Sequence, residues 1–471
     1  MGREHWVETT LGECCQINPR NKVNDESQEV TFVTMSDISQ NSPVFKSTQV
    51  RSFSEVKKGF THFAENDVLF AKITPCMENG KAALANNLQN GLGCGTTELH
   101  VIRPLCGVES ALIYNFVHQP IFRTEAEQCF TGSAGQRRVP VDFLYEYPFS
   151  LPPLNEQKRI VEKLNAILPK VKNAKARLEK IPLILKKFRQ SVLSAACSGR
   201  LTADWREEHV FNEQKKNNFD GFDIPNTPLS WDWVFITDLV SNEKNSLKAG
   251  PFGSSLKKEC YAKEGYKIYG QEQVINGDAF FGNYYVDELK YRELETCKVK
   301  PNDVLISLVG TVGKVLILPE NCFEGIINPR LVKITFDLSK YAPRFFEQYF
   351  SSMLLKSFYS ELLHGSTMDV LNLRIIKSLP FPLPPLEEQQ EIVRRVEKLF
   401  ALADSLEAKY KKAIQRVEKI EQSVLAKAFR GELANPDPND EPAAELLKRI
   451  LEEKTMLKTS KKNGYSRNLM G

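Results

Sequence analysis

Two stretches of the chain place apolar residues at alternating spacings of four and three. The later one runs Ile392, Val396, Leu399, Ala403, Leu406, Tyr410, Ala413, Val417, Ile420, Val424. The same positions 232 residues earlier are Ile160, Leu164, Ile167, Val171, Ala174, Leu178, Ile181, Leu185, Phe188 and Val192, all apolar. A period of 3.5 sustained over four heptads is a coiled-coil seam, because an ordinary amphipathic helix drifts off a strict seven-residue repeat. Each helix follows a Leu-Pro-Pro-Leu stretch and ends at a glycine, Gly199 or Gly431, placed as a C′ residue. Forty or so residues give a rod of roughly 60 Å. Pro169 and Pro182 fall off the seam in the first rod and predict kinks there. Two matching stripes in one chain predict antiparallel pairing, which would hold the regions preceding each rod at opposite ends.

The rods belong to a larger repeat. PFSLPPLNEQKRIV (148–161) returns as PFPLPPLEEQQEIV (380–393), and SVLSAACSGRL (191–201) as SVLAKAFRGEL (423–433). The preceding segments are more weakly related. Trp6-Val7 answers Trp233-Val234, AENDVLF (64–70) answers KPNDVLI (300–306), Gly80-Lys81 answers Gly313-Lys314, and Gly132-Ser133 answers Gly365-Ser366. Short strands are expected at 30–35, 67–73, 99–104, 303–310 and 314–319, and helices at 109–129 and 339–363. The fold class is therefore α/β: two mixed α/β domains separated by two long helices forming an antiparallel coiled coil. The expected segments are a first domain at 1–150, helical spacer at 151–205, linker at 206–230, second domain at 231–380, second spacer at 381–434 and tail at 435–471. The tail reads as a short helix with a loose basic end.

Composition narrows the class. No apolar run approaches the roughly 20 residues that span a bilayer, and the N-terminal stretch has no signal-peptide core. The ten cysteines include no C-x-x-C pair, which fits free thiols in a reducing cytoplasm rather than zinc or disulfides. Net charge is only +4. Between Lys158 and Arg189, however, eleven Lys/Arg face two Glu. That run is either a solvated helix face or a polyanion-binding surface.

Catalytic signatures are missing. Gly313-Lys314 is no P-loop, since Leu308 stands where the first glycine belongs and Val315 where Ser or Thr belongs. Asn18-Pro19-Arg20 and Asn328-Pro329-Arg330 lack the second proline and the aromatic of an adenine-methyltransferase motif. What remains suits DNA binding. TGSAGQRRV (131–139) and HGSTMDVLNLR (364–374) occupy matching places. Gly132, Ser133, Gln136, Arg137 and Arg138 in the first, with Gly365, Ser366 and Thr367 in the second, are residue types that approach phosphates or read base edges. Lys72, Thr74, Lys81, Lys248, Lys257, Lys258 and Lys314 are further candidates. No metal ligand set is expected.

The whole pattern resembles the specificity subunits of type I restriction–modification systems. The resemblance rests on the doubled LPPLxEQ entry (Leu151 to Gln157, Leu383 to Gln389) and the helix end SVLxxAxxGxL. FVTMSDI (32–38), NDVLFAKITPCMENGK (66–81), GPFGSSLKK (250–258) and PNDEPAAELLKRI (438–450) add to it. It implies two target-recognition domains, each reading half of a bipartite double-stranded DNA site, and helices that set the spacer and dock two methyltransferase subunits. Restriction and translocase subunits would complete the complex. S-adenosylmethionine, ATP and Mg would serve those partners, with no cofactor in this chain. HGSTMDVLN departs from the pattern in lacking the basic residues of TGSAGQRRV. A fused enzyme, a specificity subunit of a related restriction system and a structural coiled-coil adaptor are the rival readings.

Overall fold

The computed structural model describes all residues except 1–3, 22, 24, 41, 47, 134–135, 212–218, 220–221, 309–313, 363–370 and 468–471. It divides into two compact units, Met1–Glu179 with Lys411–Gly471, and Lys180–Tyr410.

The first unit contains two four-stranded sheets. One is antiparallel, ordered Cys15–Ile17, Leu99–Pro104, Val68–Ala71, Ala82–Leu84. The other is ordered Gln49–Ser52, Glu29–Val33, Leu92–Gly95, Thr61–Ala64, and its central pair is parallel. The second unit repeats this plan. Leu247–Ala249, Leu331–Ile334, Val304–Ser307 and Val315–Ile317 form the antiparallel sheet. Tyr285–Val286, Tyr266–Tyr269 and Gly325–Ile327 form the second, again with a parallel pair. An isolated bridge from Lys298 to Ile326 stands where the fourth strand runs in the first unit.

A two-stranded clasp closes each unit. Val7–Thr10 pairs with Pro148–Leu151, and Asp232–Phe235 with Pro380–Leu383, both antiparallel. Val7 faces Leu151 and Asp232 faces Leu383, so Trp6 corresponds to Trp231. The weak sequence match had paired it with Trp233. The reason for the shift lies in the clasp's partners. Trp6 Nε1 donates to Glu156 at 3.1 Å and Trp231 Nε1 to Glu388 at 2.8 Å, and both carboxylates are buried.

The next residue of the LPPLxEQ motif explains its other invariant. Gln157 Oε1 accepts from the Glu109 amide, while its Nε2 donates to the Gly107 and Pro152 carbonyls. Gln389 does the same with Ala342, Lys340 and Pro384. A buried side-chain amide that bonds three backbone groups leaves no orphaned polar atom at the hinge.

The helices differ from expectation in detail. The segment 109–129 is split into Ser110–Val117 and Pro120–Gln128, because Pro120 has no N–H to continue the first ladder. The segment 339–363 is likewise split into Pro343–Phe350 and Met353–Leu362. The tail is no short helix but a 25-residue one, Ala443–Arg467. Of the two prolines in the first rod, Pro169 lies within the continuous helix Leu154–Leu178. Pro182 instead occupies the first turn of a new helix, Ile181–Cys197, where a missing N–H costs nothing. Gly199 and Gly431 end their helices with φ of +74° and +71°, the left-handed conformation that favours glycine.

The second rod is one 44-residue helix, Leu386–Phe429. Within the first unit Ile160, Leu164 and Leu168 share a core with Leu425, Ala428 and Phe429. Within the second, Val192 shares a core with Ile392 and Val396. Rising numbers on one helix meet falling numbers on the other, which is antiparallel pairing. The middle of the seam is thinner. Leu406 and Ile420 remain 44% and 49% exposed, and Ala174 is exposed as well. There the helices meet through long charged side chains, Lys175 to Glu418 at 3.4 Å and Arg189 to Asp404 at 2.7 Å. Arg159 pairs with Asp440. Three of the eleven basic residues of the run, Arg159, Lys175 and Arg189, thus have carboxylate partners on the facing segments, which fits the helix-face reading at those positions.

Candidate nucleic-acid interface

In the first unit the two ends of the 131–138 segment pair with each other, and Arg138 bridges Ile73 just beyond the strand Val68–Ala71. Thr131 and Arg138 exchange backbone bonds of 3.0 and 2.9 Å, and the Gln136 amide donates to Ser133 O at 3.1 Å. The loop is sewn to the strand end beside it: the Thr74 amide donates to Arg137 O, and the Val139 amide to Lys72 O. Gly132, Ser133, Gln136, Arg137, Lys72 and Thr74 are thus brought together, the first four of them exposed.

Their side chains do different jobs. Arg138 grips Glu98 with two bonds of 2.8 and 2.7 Å and donates to Gln136 O, so it braces the loop from inside. The guanidinium holds the Glu98 carboxyl below the usual carboxylate range. Arg137 points outward, its guanidinium carbon 5.4 Å from the Phe130 ring centroid. Lys72 is half-buried, and desolvation lowers its pKa. Thr74 leans on Glu78 at 3.4 Å, and Lys81 donates to the Met35 carbonyl at 2.7 Å.

A cleft of about 830 Å³ opens beside this loop, lined among others by Asn18, Arg20, Lys57, His62 and Lys72. Asn18 sits at φ +50° and bonds the buried His100 at 3.1 Å. The other ring nitrogen of His100 contacts Val139 O at 2.9 Å. Burial pulls the imidazole pKa down to about 4, so the neutral ring donates to Val139 and accepts from Asn18. The base of the arginine loop is thereby fixed.

In the second unit Lys248 is half-buried on its strand opposite Lys333, Lys257 and Lys258 are exposed, and Lys314 donates to Ile275 O at 2.8 Å. Gly365, Ser366 and Thr367 lie outside the described residues. Among the described residues, no helix is long and apolar enough to cross a membrane.

Residues 3–183 and 231–416 match the family model for the type I restriction modification DNA specificity domain. The chain belongs to this family. It is 35% identical over 339 residues to the EcoBI specificity subunit of Escherichia coli, covering 69% of this chain and 68% of the relative. It is 33% identical over 384 residues to the EcoKI specificity subunit of Escherichia coli strain K12, covering 77% and 75%. Among solved structures, the HsdS subunit of Thermoanaerobacter tengcongensis superposes with TM-score 0.55 at 20% identity, over 91% of this chain and 98% of that one. A chain from a study of type I restriction–modification assembly and conformational transition superposes at TM-score 0.63 with the same identity and coverage. The two share the fold.

Further candidate interface residues are visible in the structure and not in the sequence pattern. Arg20 and Lys57 reach the cleft of the first unit, although Lys57 is paired with Glu26. Arg330 is exposed at the strand end of the second unit, its guanidinium 3.2 Å from Gln271 Oε1. In sequence alone, Asn328-Pro329-Arg330 resembles no more than a fragment of a methyltransferase signature. Alignment of the two strand ends would have found it, since Arg330 stands where the first half has Glu98.

Proposed function

We propose that this DNA-specificity subunit is a non-catalytic reader working in the cytoplasm, with each globular unit recognising one half of a bipartite double-stranded site. The helices set the spacing and dock two methyltransferase subunits, and restriction and translocase subunits complete the complex. Methyl transfer with S-adenosylmethionine, and ATP- and Mg-dependent steps, fall to those partners. The observation that carries the reading is the duplication itself. Both units keep the same sheets and the same Trp–Glu–Gln clasp, yet their strand ends and loops carry different side chains. A conserved frame with divergent display is what a reader of two unlike half-sites needs.

The test is reconstitution. The purified chain alone should transfer no methyl groups and hydrolyse no ATP, whereas with its methyltransferase partner adenine methylation should appear at one bipartite sequence. Methylation by the rigorously purified chain without partner would sink the proposal.

A further inference from the structure

The strand ends that carry Glu98 and Arg330 are structurally equivalent. Lys72 N donates to Glu98 O at 3.0 Å, and Leu308 N donates to Arg330 O at 3.0 Å. The following residues continue the match, Leu99 pairing with Ala71 and Leu331 with Ser307. At this one place the two halves carry opposite charges. In the first unit the carboxylate is occupied by Arg138. In the second, Arg330 is exposed and, among the described residues, makes no ion pair within 4 Å.

The surroundings of Arg330 hold it in a set direction. Its amide donates to Asn328 Oδ1 at 2.9 Å, which forms a tight turn ahead of the strand. Its NH1 donates to Gln271 Oε1 at 3.2 Å, and Gln271 Nε2 donates in turn to Ser307 Oγ at 3.0 Å. Gly270 lets the Asn328 side chain approach, because a Cβ there would lie 2.7 Å from Asn328 Nδ2. Tyr261 packs against Tyr284 with ring centroids 5.7 Å apart; burial raises the Tyr261 hydroxyl pKa, and the nearby Arg330 charge opposes that rise. Lys314 is fastened close by to the helix Gln271–Asn276 through Ile275 O. A guanidinium braced by a side-chain amide and exposed at a strand end, with a lysine on the neighbouring helix, is the arrangement that reads a guanine edge through O6 and N7.

We infer that Arg330, oriented by Gln271, reads a guanine in the half-site recognised by the second unit. The inference rests on the bipartite-reader function proposed above and names the residue that does the reading in that half. Arg330 is the specificity residue, and Gln271 is a positioning residue that acts through it.

The test uses the full chain assembled with its methyltransferase partner. Host-genome methylation mapping first defines the parental motif. Oligonucleotide duplexes carrying each single base-pair change in either half are then methylated by the parent, Arg330→Ala, Arg330→Lys and Gln271→Ala. Arg330→Ala should lose discrimination at one guanine-bearing position of one half-site, by roughly 5- to 150-fold, with the other half unchanged. Arg330→Lys should fail to restore it, since a point charge cannot form the two-pronged contact. Gln271→Ala should weaken discrimination at that same position, by less. Retention of full discrimination by Arg330→Ala overturns the inference. So does a uniform loss on every duplex with a flattened salt slope, which would mark a phosphate contact. A parental complex that methylates no bipartite motif would instead overturn the functional reading beneath it.

Discussion

Trp231 donates its indole N–H to Glu388 at 2.8 Å across 157 residues of sequence. The same buried carboxylate accepts from Thr202 at 2.7 Å and pairs with Arg206. Three segments of the second unit therefore converge on one fully buried anion. Removing one member of a buried charged network leaves the others unpaired, which costs more than the network's net worth. Glu388→Leu should destabilise this unit by about 3–5 kcal/mol, and Glu388→Gln by less because it keeps an acceptor. Denaturant unfolding followed by tryptophan fluorescence reads this directly. A loss under 1 kcal/mol for the leucine variant would show that the clasp is not a structural keystone.

The two neighbouring arginines of the first loop should separate cleanly. Arg137→Ala removes an outward cation, so DNA discrimination or affinity should fall by about 1–3 kcal/mol while stability holds. Arg138→Ala removes the brace, and Glu98→Ala should reproduce its effect. All loop-dependent contacts should weaken together in both brace variants, as seen in binding isotherms taken across a salt series. Equal phenotypes for Arg137→Ala and Arg138→Ala, with Glu98→Ala silent, would contradict this division.

His100 makes the first unit acid-sensitive. Its pKa is about 4 folded against an ordinary 6.5. Between those values the unfolded chain binds the proton and the folded one does not. Stability is therefore full above about pH 6.5, falls as the pH drops, and stops falling below about 4. At pH 5 the loss from this group approaches about 2 kcal/mol. His118, depressed to about 4 by its own burial, adds a similar share. Thermal unfolding of the parent and of His100→Gln at pH 7 and pH 5 should give a smaller acid shift for the variant. Identical shifts would remove His100 from the account.

The rods were legible in the sequence because a heptad seam is local and periodic, and LPPLxEQ because its Glu and Gln are each required by buried partners. The tryptophan register was less visible. Trp231 and Trp233 both fit an alternating strand, and only the reach to Glu388 decides between them. The role of Arg138 depends on Glu98, forty residues away, which no spacing rule connects. Arg330 was missed for a related reason, as its meaning comes from the strand end it shares with Glu98. The exposed Leu406 and Ile420 show a limit of the seven-residue pattern: it marks a possible seam without saying how tightly each layer closes.

A coordinated shortening of the rods tests their proposed role as a spacer. The ion pair of Lys175 with Glu418 identifies residues at one height, so segments 172–178 and 415–421 are matched partners. Deleting both keeps each seam in phase and shortens the helices by about 10 Å. The preferred spacer should shrink by roughly three base pairs, with a rotation of about 100° between half-sites. Methylation of a duplex series with graded spacers measures it. An assembled variant that still prefers the parental spacing at parental rate would show that the rods are not the ruler.

The long C-terminal helix has a consequence for how the chain is made. Ala434, Leu446 and Ile450 are buried in the same core as Trp6 and Leu11, and the Cys106 amide donates to Glu453 at 2.9 Å. That core stays open until residues 434–450 have left the ribosome, because synthesis runs from N to C terminus at about 5–20 residues per second. The half translated second is contiguous, so it can close while the first still waits. Trp6 and Leu11 are thus sealed only after residues more than 400 positions later have emerged, and a nascent chain stalled before residue 434 would present an unfinished apolar face to chaperones and proteases.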